Sequence, residues 1–326
     1  MNRSNAASVD APPSFVESIG NGIHVVDTGF HRPLFDAAYL IVERGRAAFV
    51  DTGTNDAVPR LLTALAGARI TVDAVDFVIA THVHLDHAGG AGRLMQQLPN
   101  ARLVVHRRGA RHLVDPRHLI RSATGVYGEE EIARSYGSLV PVPADRVVTT
   151  GDNTTIELAG RALRFLDTPG HAMHHHCIWD EASRAFFTGD TFGLSYRDFD
   201  TGRGPWAMPT TTPVQFQPTA LRHSIERMLA FAPAHMHLTH YGRVGDVQRL
   251  GALLLAQLDA VVAFARATKP GPERHDVLVR GLEAIHLASL RAHGVALADE
   301  RIRELLALDL ELNAQGLAIW LDRRKH

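Results

Sequence analysis

The sequence predicts a layered sheet-and-helix domain followed by an all-helical C-terminal region. Three observations lead there. Between Gly22 and about Gly242, short apolar runs broken by Gly, Pro and Asp alternate with helix-like stretches. After Gly242 the strand-like runs stop and apolar residues recur at helical spacing. The 326 residues, 45% hydrophobic and 21% charged, have the composition of an ordinary globular chain of about two domains, which excludes disordered and fibrous classes.

Taken in order, residues 1–14 are small, polar and proline-containing and are expected to form a loose arm. Residues 37–42 and 47–50 read as strands, the second ending in the turn Asp51-Thr52-Gly53. Residues 57–65 read as a helix, 77–80 as a buried strand and 103–105 as another. Residues 156–158 and 163–166 look like a sheet pair, followed by strands at 177–179, 185–187 and 236–238. Two long connections, 115–140 and 192–217, carry no evident element, and loops of that length are usually functional or mobile. Helices are expected over 246–267, 275–293 and 299–322. The domain division is therefore a 1–14 arm, a 15–245 sheet-and-helix unit and a 246–326 helical region.

Charge and cysteine content bound the partners. With 34 Lys+Arg against 35 Asp+Glu the net charge is -1, so no nucleic-acid or membrane partner is expected. The first fifteen residues lack the apolar core of a signal peptide, and the single cysteine, Cys177, suits a reducing compartment, so a cytoplasmic location is expected. Cys177 enters an apolar strand and reads as a small buried hydrophobe.

The chain has 20 histidines, and their placement carries the functional signal. Thr81-His82-Val83-His84-Leu85-Asp86-His87-Ala88-Gly89-Gly90 follows the apolar strand at 77–80. A lone His-x-His is more often packing than a ligand pair. Four metal-capable side chains in six residues make a poor core, and they suit zinc, iron or manganese. One short loop cannot close a coordination sphere, so further ligands are needed. The candidates are Thr168-Pro169-Gly170-His171, Thr188-Gly189-Asp190-Thr191 and Leu238-Thr239-His240-Tyr241-Gly242, each with its His or Asp just after an apolar strand. Of the neighbouring histidines, His174, His175 and His176 read as supporting or surface residues, with His175 the best placed to support a ligand. His235 and His237 are expected to share one strand face.

HVHLDH at 82–87, TPGH at 168–171, TGD at 188–190, the late His240 and the upstream Asp51-Thr52-Gly53 resemble the metallo-β-lactamase-fold hydrolase superfamily over roughly residues 22–242. The resemblance implies an α+β, four-layer αββα sandwich with a dinuclear site on the rim between two sheets. By matching positions, His82, His84 and His171 would hold one metal, Asp86, His87 and His240 the other, and Asp190 would bridge them. Asp51 would be structural beneath the site. Two divalent ions, zinc favoured and iron or manganese as alternatives, would share a hydroxide that attacks a small ester, thioester or lactone-like substrate, with Asp86 as general base. A diiron oxygen- or redox-sensing protein and a phosphodiesterase are the rival readings. Asp190 argues against a true β-lactamase, Gly193 stands where acyl-homoserine lactonases carry tyrosine, and His84 stands where flavodiiron proteins carry Glu. Tyr196 could replace that tyrosine only if its loop folds differently. Glyoxalase II shares a helical C-terminal domain, but no motif places its glutathione-contacting residues in this chain. The basic stretch 107–112 is short and reads as a solvated face rather than an RNA contact.

The remaining expectations concern the surroundings of the site. Tyr127, Tyr136, Phe192, Tyr196, Trp206 and Met208 lie in the two long connections and either line an apolar pocket or pack the loops onto the body. The run Pro209–Pro213 would stiffen the pocket mouth. The last helix is apolar on more than one face and should be wedged between two surfaces, roofing one side of the cleft, with a homodimer contact as a further use.

Overall fold

A computed structural model describes residues 13–323 other than residue 212, so the expected arm lies almost wholly outside the described residues, as does the side chain of Tyr127. Seven strands form one sheet in sequence order: β1 (Val16–Gly20), β2 (Ile23–Asp27), β3 (Ala37–Glu43), β4 (Arg46–Val50), β5 (Val75–Ala80), β6 (Arg102–His106) and β7 (Val147–Thr150). Its first four strands are antiparallel, and β4 to β7 are parallel. The parallel crossovers carry α1 (Val58–Gly67), α2 (Leu85–Ala88), α3 (Ala91–Gln97), α4 (Ala110–Val114), α5 (Arg117–Tyr127) and α6 (Glu129–Ser135). The second sheet has β8 (Thr154–Leu158), β9 (Arg161–Asp167), β10 (His176–Asp180), β11 (Ala185–Gly189), β12 (His235–Leu238) and β13 (Gly242–Val244), ordered β13-β12-β11-β10-β9-β8. The helix α7 (Pro218–Leu229) links β11 to its parallel neighbour β12. Then come α8 (Val247–Ala267), α9 (Arg274–His293) and α10 (Asp299–Arg323).

Strand alternation builds the layers. In β3, Ala37, Tyr39 and Ile41 point between the sheets, where they meet Phe165, Ile178 and Phe187, while Ala38 and Leu40 point outward to Leu61, Leu65 and Leu94 of α1 and α3. In β11, Phe187 joins the inter-sheet layer and Phe186 faces the α7–α10 side. Three apolar layers separate helix, sheet, sheet and helix, the αββα sandwich. Each buried Leu or Phe in them contributes about 1.5–3 kcal/mol of transfer free energy.

Two expectations about the long connections change. The 115–140 segment is helical, because Leu119 and Ala123, one turn apart, seat α5 and Ile132 seats α6 against the body. The 192–217 segment has no long element yet is buried rather than mobile. Leu194 and Met208 exchange backbone hydrogen bonds at 3.0 Å, and Phe192, Leu194, Phe199, Trp206 and Met208 sink into the layer below α8–α10. Strands β1, β2, β7 and β13 escaped the sequence reading, being short, polar-faced or at sheet edges. By length and composition α8 could cross a membrane, but Leu250, Leu254, Leu258 and Val261 face the interior, with α7, α9 and α10 as its neighbours.

Candidate metal centre

Parallel strands bring their C-terminal ends to one edge. β4 and β5 deliver Asp51 and the 82–87 loop from one sheet; β11 and β12 deliver Asp190 and His240 from the other. β9 is antiparallel to β10, which is antiparallel to β11, so β9 ends at the same rim with His171. The turn that lifts Asp190 needs Gly189 at φ +46, where a Cβ would meet His175 Nε2 at 2.5 Å. His84 is still extended and serves as the N-cap of α2, which turns Asp86 and His87 round to a second point.

All seven residues named from the sequence converge. The ligand atoms of His82, His84 and His171 lie within 4.8 Å of one another, as do those of Asp86, His87 and His240. Asp190 lies between the groups. Its Oδ2 is 3.3 Å from His171 Nε2, and its Oδ1 is 3.1 Å from His87 Nε2 and 3.7 Å from His240 Nε2. His171 Nε2 is 3.1 Å from His84 Nδ1, and His240 Nε2 is 3.4 Å from Asp86 Oδ2. Ligands at about 2.0–2.1 Å from a tetrahedral ion sit about 3.3 Å apart, so these spacings suit metal binding.

The outer ring nitrogens are held so that the inner ones face the rim. Asp51 Oδ2 accepts from His87 Nδ1 at 2.8 Å, and the Phe35 carbonyl accepts from His240 Nδ1 at 3.0 Å. His171 Nδ1 is hydrogen-bonded to Thr210 Oγ1 at 2.8 Å, and His82 Nδ1 lies 3.2 Å from Thr81 Oγ1. Asp51 also accepts from the Thr81 amide and the Thr239 hydroxyl, tying three strand ends together. Such outer partners fix tautomer and ring orientation. The inward atoms His82 Nε2, His87 Nε2 and Asp190 Oδ1 are buried with no hydrogen-bond partner. Native interiors rarely leave such atoms unsatisfied, and a cation satisfies all three.

Electrostatics lead to the same conclusion. Among the described residues no Lys or Arg nitrogen lies within 4.0 Å of Asp51, Asp86 or Asp190; their close basic partners are histidines. Burial opposes charge on His87 and His240, yet the carboxylates of Asp190 and Asp86 outweigh it, lifting His87 well above its usual range and His240 to about 10. The same imidazoles hold Asp86 and Asp190 below the carboxylate range against their own burial. Without metal, protons on these rings are the compensating positive charge. Burial keeps His82 and His84 low and pushes His171 down to about 3, the neutral form that ligates.

Other expected residues divide. His175 accepts from the Asp190 amide at 3.2 Å and is bonded to Thr168 and Thr191, so it braces the turn that carries Asp190. His174 and His176 are buried, which corrects the surface reading. Cys177 is buried against Thr188 and Thr168, its thiol pushed up to about 12 by burial. His237 is buried against Tyr39 and Phe187 between the sheets, with His235 half-buried at the start of the same strand. Of the aromatics, Tyr136 lines the cavity beside the centre, whereas Phe192, Trp206 and Met208 pack into the body. Tyr196 donates to Asp309 of α10 and stacks on Phe35, so its hydroxyl is turned to the helix. Phe30, His31 and Phe35 from the β2–β3 loop and Leu308, Asp309, Leu312 and Asn313 from α10 complete that cavity. None of these carries a local motif; a wall made of distant segments has no spacing to read.

Comparison with known proteins agrees with this geometry. The metallo-beta-lactamase superfamily model matches residues 20–251. A metallo-beta-lactamase fold-containing protein of Sulfurisphaera tokodaii, ST1585, is 25% identical over 228 residues, covering 68% of this chain and 79% of its own. An atrochrysone carboxyl ACP thioesterase of Aspergillus fumigatus is 25% identical over 179 residues, 55% of this chain and 42% of that protein, so the chain spans under half the length of this relative. The solved structure of TTHA1429 from Thermus thermophilus superposes with a TM-score of 0.65 at 22% identity, over 87% of this chain and 95% of that one. With the matched segment covering most of the sandwich and both ligand triads inside it, this chain belongs to the metallo-beta-lactamase superfamily.

Proposed function

We propose that the protein is a hydrolase of small ester, thioester or lactone-like substrates that works with two divalent ions, zinc favoured. The observation that carries this is the convergence of two His/Asp triads on either side of Asp190, with unsatisfied inward atoms. His82, His84 and His171 would hold one ion and Asp86, His87 and His240 the other, with one Asp190 oxygen toward each. Bound there, the ions supply Lewis acidity and a water that deprotonates near neutral pH. The thioesterase among the relatives supports the substrate class.

The chain's own residues supply the rest. Asp86 lines the cavity and stays ionised because His87 and His240 offset its burial, so its carboxylate can take a proton from the attacking water. Phe30, Phe35 and Tyr136 give the cavity an apolar wall that seats an acyl group and excludes bulk water. Thr210 holds the His171 ring, and the Phe35 carbonyl holds the His240 ring.

Metal analysis of protein purified without chelator is expected to give about two ions per chain. Asp190→Ala should lose much of that metal and lower turnover of p-nitrophenyl esters by more than about 100-fold while keeping the circular-dichroism spectrum. Full metal content and activity in that variant would overturn the bridging role. An iron protein with an oxygen-sensitive visible band and no turnover would overturn the hydrolase reading.

A further inference from the structure

A second cavity opens on the other side of His84, away from the one walled by α10. His84 lines both. The second runs between α5 and the 213–215 turn, and its two walls differ in chemistry. One is apolar, from Leu119, Ala123, Val126 and Val214. Val214, 38% exposed, is one of few large apolar side chains left in solvent. The other wall is a row of imidazoles leading outward from the metal centre: His84 to His174 at 5.7 Å between ring centres, His174 to His112 at 6.1 Å, and His112 to His118 at 5.6 Å. Arg111 lines the same groove beside His112. Among the described residues the Arg111 side chain has no carboxylate partner, its one hydrogen bond being to His112. His174 is buried, and its Nδ1 has no partner. The charged lining of the first cavity is Asp86, Glu131, Asp190 and Asp309 beside His31, His84 and His240, with no Lys or Arg. The α5 side thus adds what the lining of the first cavity lacks, a guanidinium with no carboxylate partner of its own.

We propose that the α5 groove holds the anionic half of the substrate, an apolar stem ending in a carboxylate or phosphate, with Arg111 and His118 at the charged end and His174 Nδ1 satisfied by a polar atom of the stem. The scissile bond then lies at His84, where the two cavities meet, and the uncharged half lies under α10. The assignment rests on the hydrolase reading for its chemistry, but its binding test stands apart. It accounts for three features that the metal centre leaves unused: the imidazole row, the unpaired arginine and the exposed valine.

The test is titration calorimetry of the metal-loaded protein with octyl phosphate, octanoate and 1-octanol. Both anions are expected to bind at least about tenfold more tightly than the alcohol, the value of one charge-assisted contact. The tighter of the two identifies phosphate or carboxylate as the natural terminus. Arg111 and His118 are exposed, so an R111A/H118A double variant keeps the fold, and in it the anion preference should fall to near unity. A preference that survives the double variant would put the anion on the metals and overturn the groove assignment, as would equal binding of all three probes. Anion-selective binding without turnover of any ester would leave the groove assignment standing and overturn the hydrolase reading instead.

Discussion

His176 shows how far a single side chain departs from its sequence reading. It sits between the His171 motif and a strand, and the sequence offers it as a supporting or surface residue. In the fold it opens β10 and reaches across to the other sheet, where Nε2 donates to the Ala80 carbonyl at 2.8 Å and Nδ1 meets Thr150 Oγ1 at 2.7 Å. Burial pushes its pKa down to about 3, so it remains a neutral tie between the sheets. Its removal leaves a buried carbonyl and a hydroxyl without partners, at about 1–3 kcal/mol for each unsatisfied group. His176→Ala should therefore lower unfolding free energy in urea by about 2–4 kcal/mol while metal content stays at the wild-type level. An unchanged urea midpoint would show the tie to be dispensable.

At the scale of elements, the helical region is joined to the buried 192–217 segment, a strap beneath α8–α10, by polar contacts as well as apolar stripes. Gln257 of α8 donates to the Ala207 carbonyl, and its Oε1 meets His286 Nδ1 of α9 at 2.9 Å. Asn313 of α10 accepts from the Thr211 amide with its side chain and from the Thr211 hydroxyl with its carbonyl. Burial lowers His286 from 6.5 to about 4. The unfolded chain thus binds more protons than the folded one between those values, so stability falls as pH drops through that window and levels off below it. At about 1.4 kcal/mol per unit the loss reaches about 3 kcal/mol near pH 4. Urea unfolding of wild type and His286→Gln at pH 7 and pH 4.5 should show a smaller acid loss in the variant. Parallel pH slopes would assign the acid sensitivity to other buried histidines such as His237.

For the whole molecule, the question is what the last eighty residues do. α10 lies against α9 and α8 on one side, while Leu308, Asp309, Leu312 and Asn313 face the cavity beside the metal centre on the other. Removing α8–α10 would strip cover from Trp206, Phe199 and Met208 in the strap and take away one cavity wall. A cut after Gly245 keeps β13, which a cut after Gly242 would destroy. The truncated protein is expected to aggregate or to lose ester turnover, because a large apolar face becomes exposed. A monodisperse truncated protein on gel filtration with an unchanged substrate profile would show that the roof is not required.

The candidate ligand set was legible because each residue follows an apolar strand at a fixed local offset, and parallel strands of one sandwich end at the same rim. His82, His84, Asp86 and His87 needed only six residues of chain, and Asp190 and His171 needed only the strand before them. The orienting partners and the cavity walls were not legible. Thr210 meets His171 across 39 residues, the Phe35 carbonyl meets His240 across 205, and Tyr196 meets Asp309 across 113. The helices α5 and α6 hid for another reason: their stripe is short and interrupted by Gly125 and Gly128, so local propensity favoured a loop until the body supplied a surface to cover. The sequence by itself determined the layering of sheet and helix and the seven candidate ligands, because periodicity and strand ends are local properties, while the four-layer sandwich was implied by the family resemblance. Only the tertiary structure decided which imidazole nitrogen faces inward, where the two cavities open and which of them holds the unpaired arginine, because those depend on contacts between segments far apart in the chain.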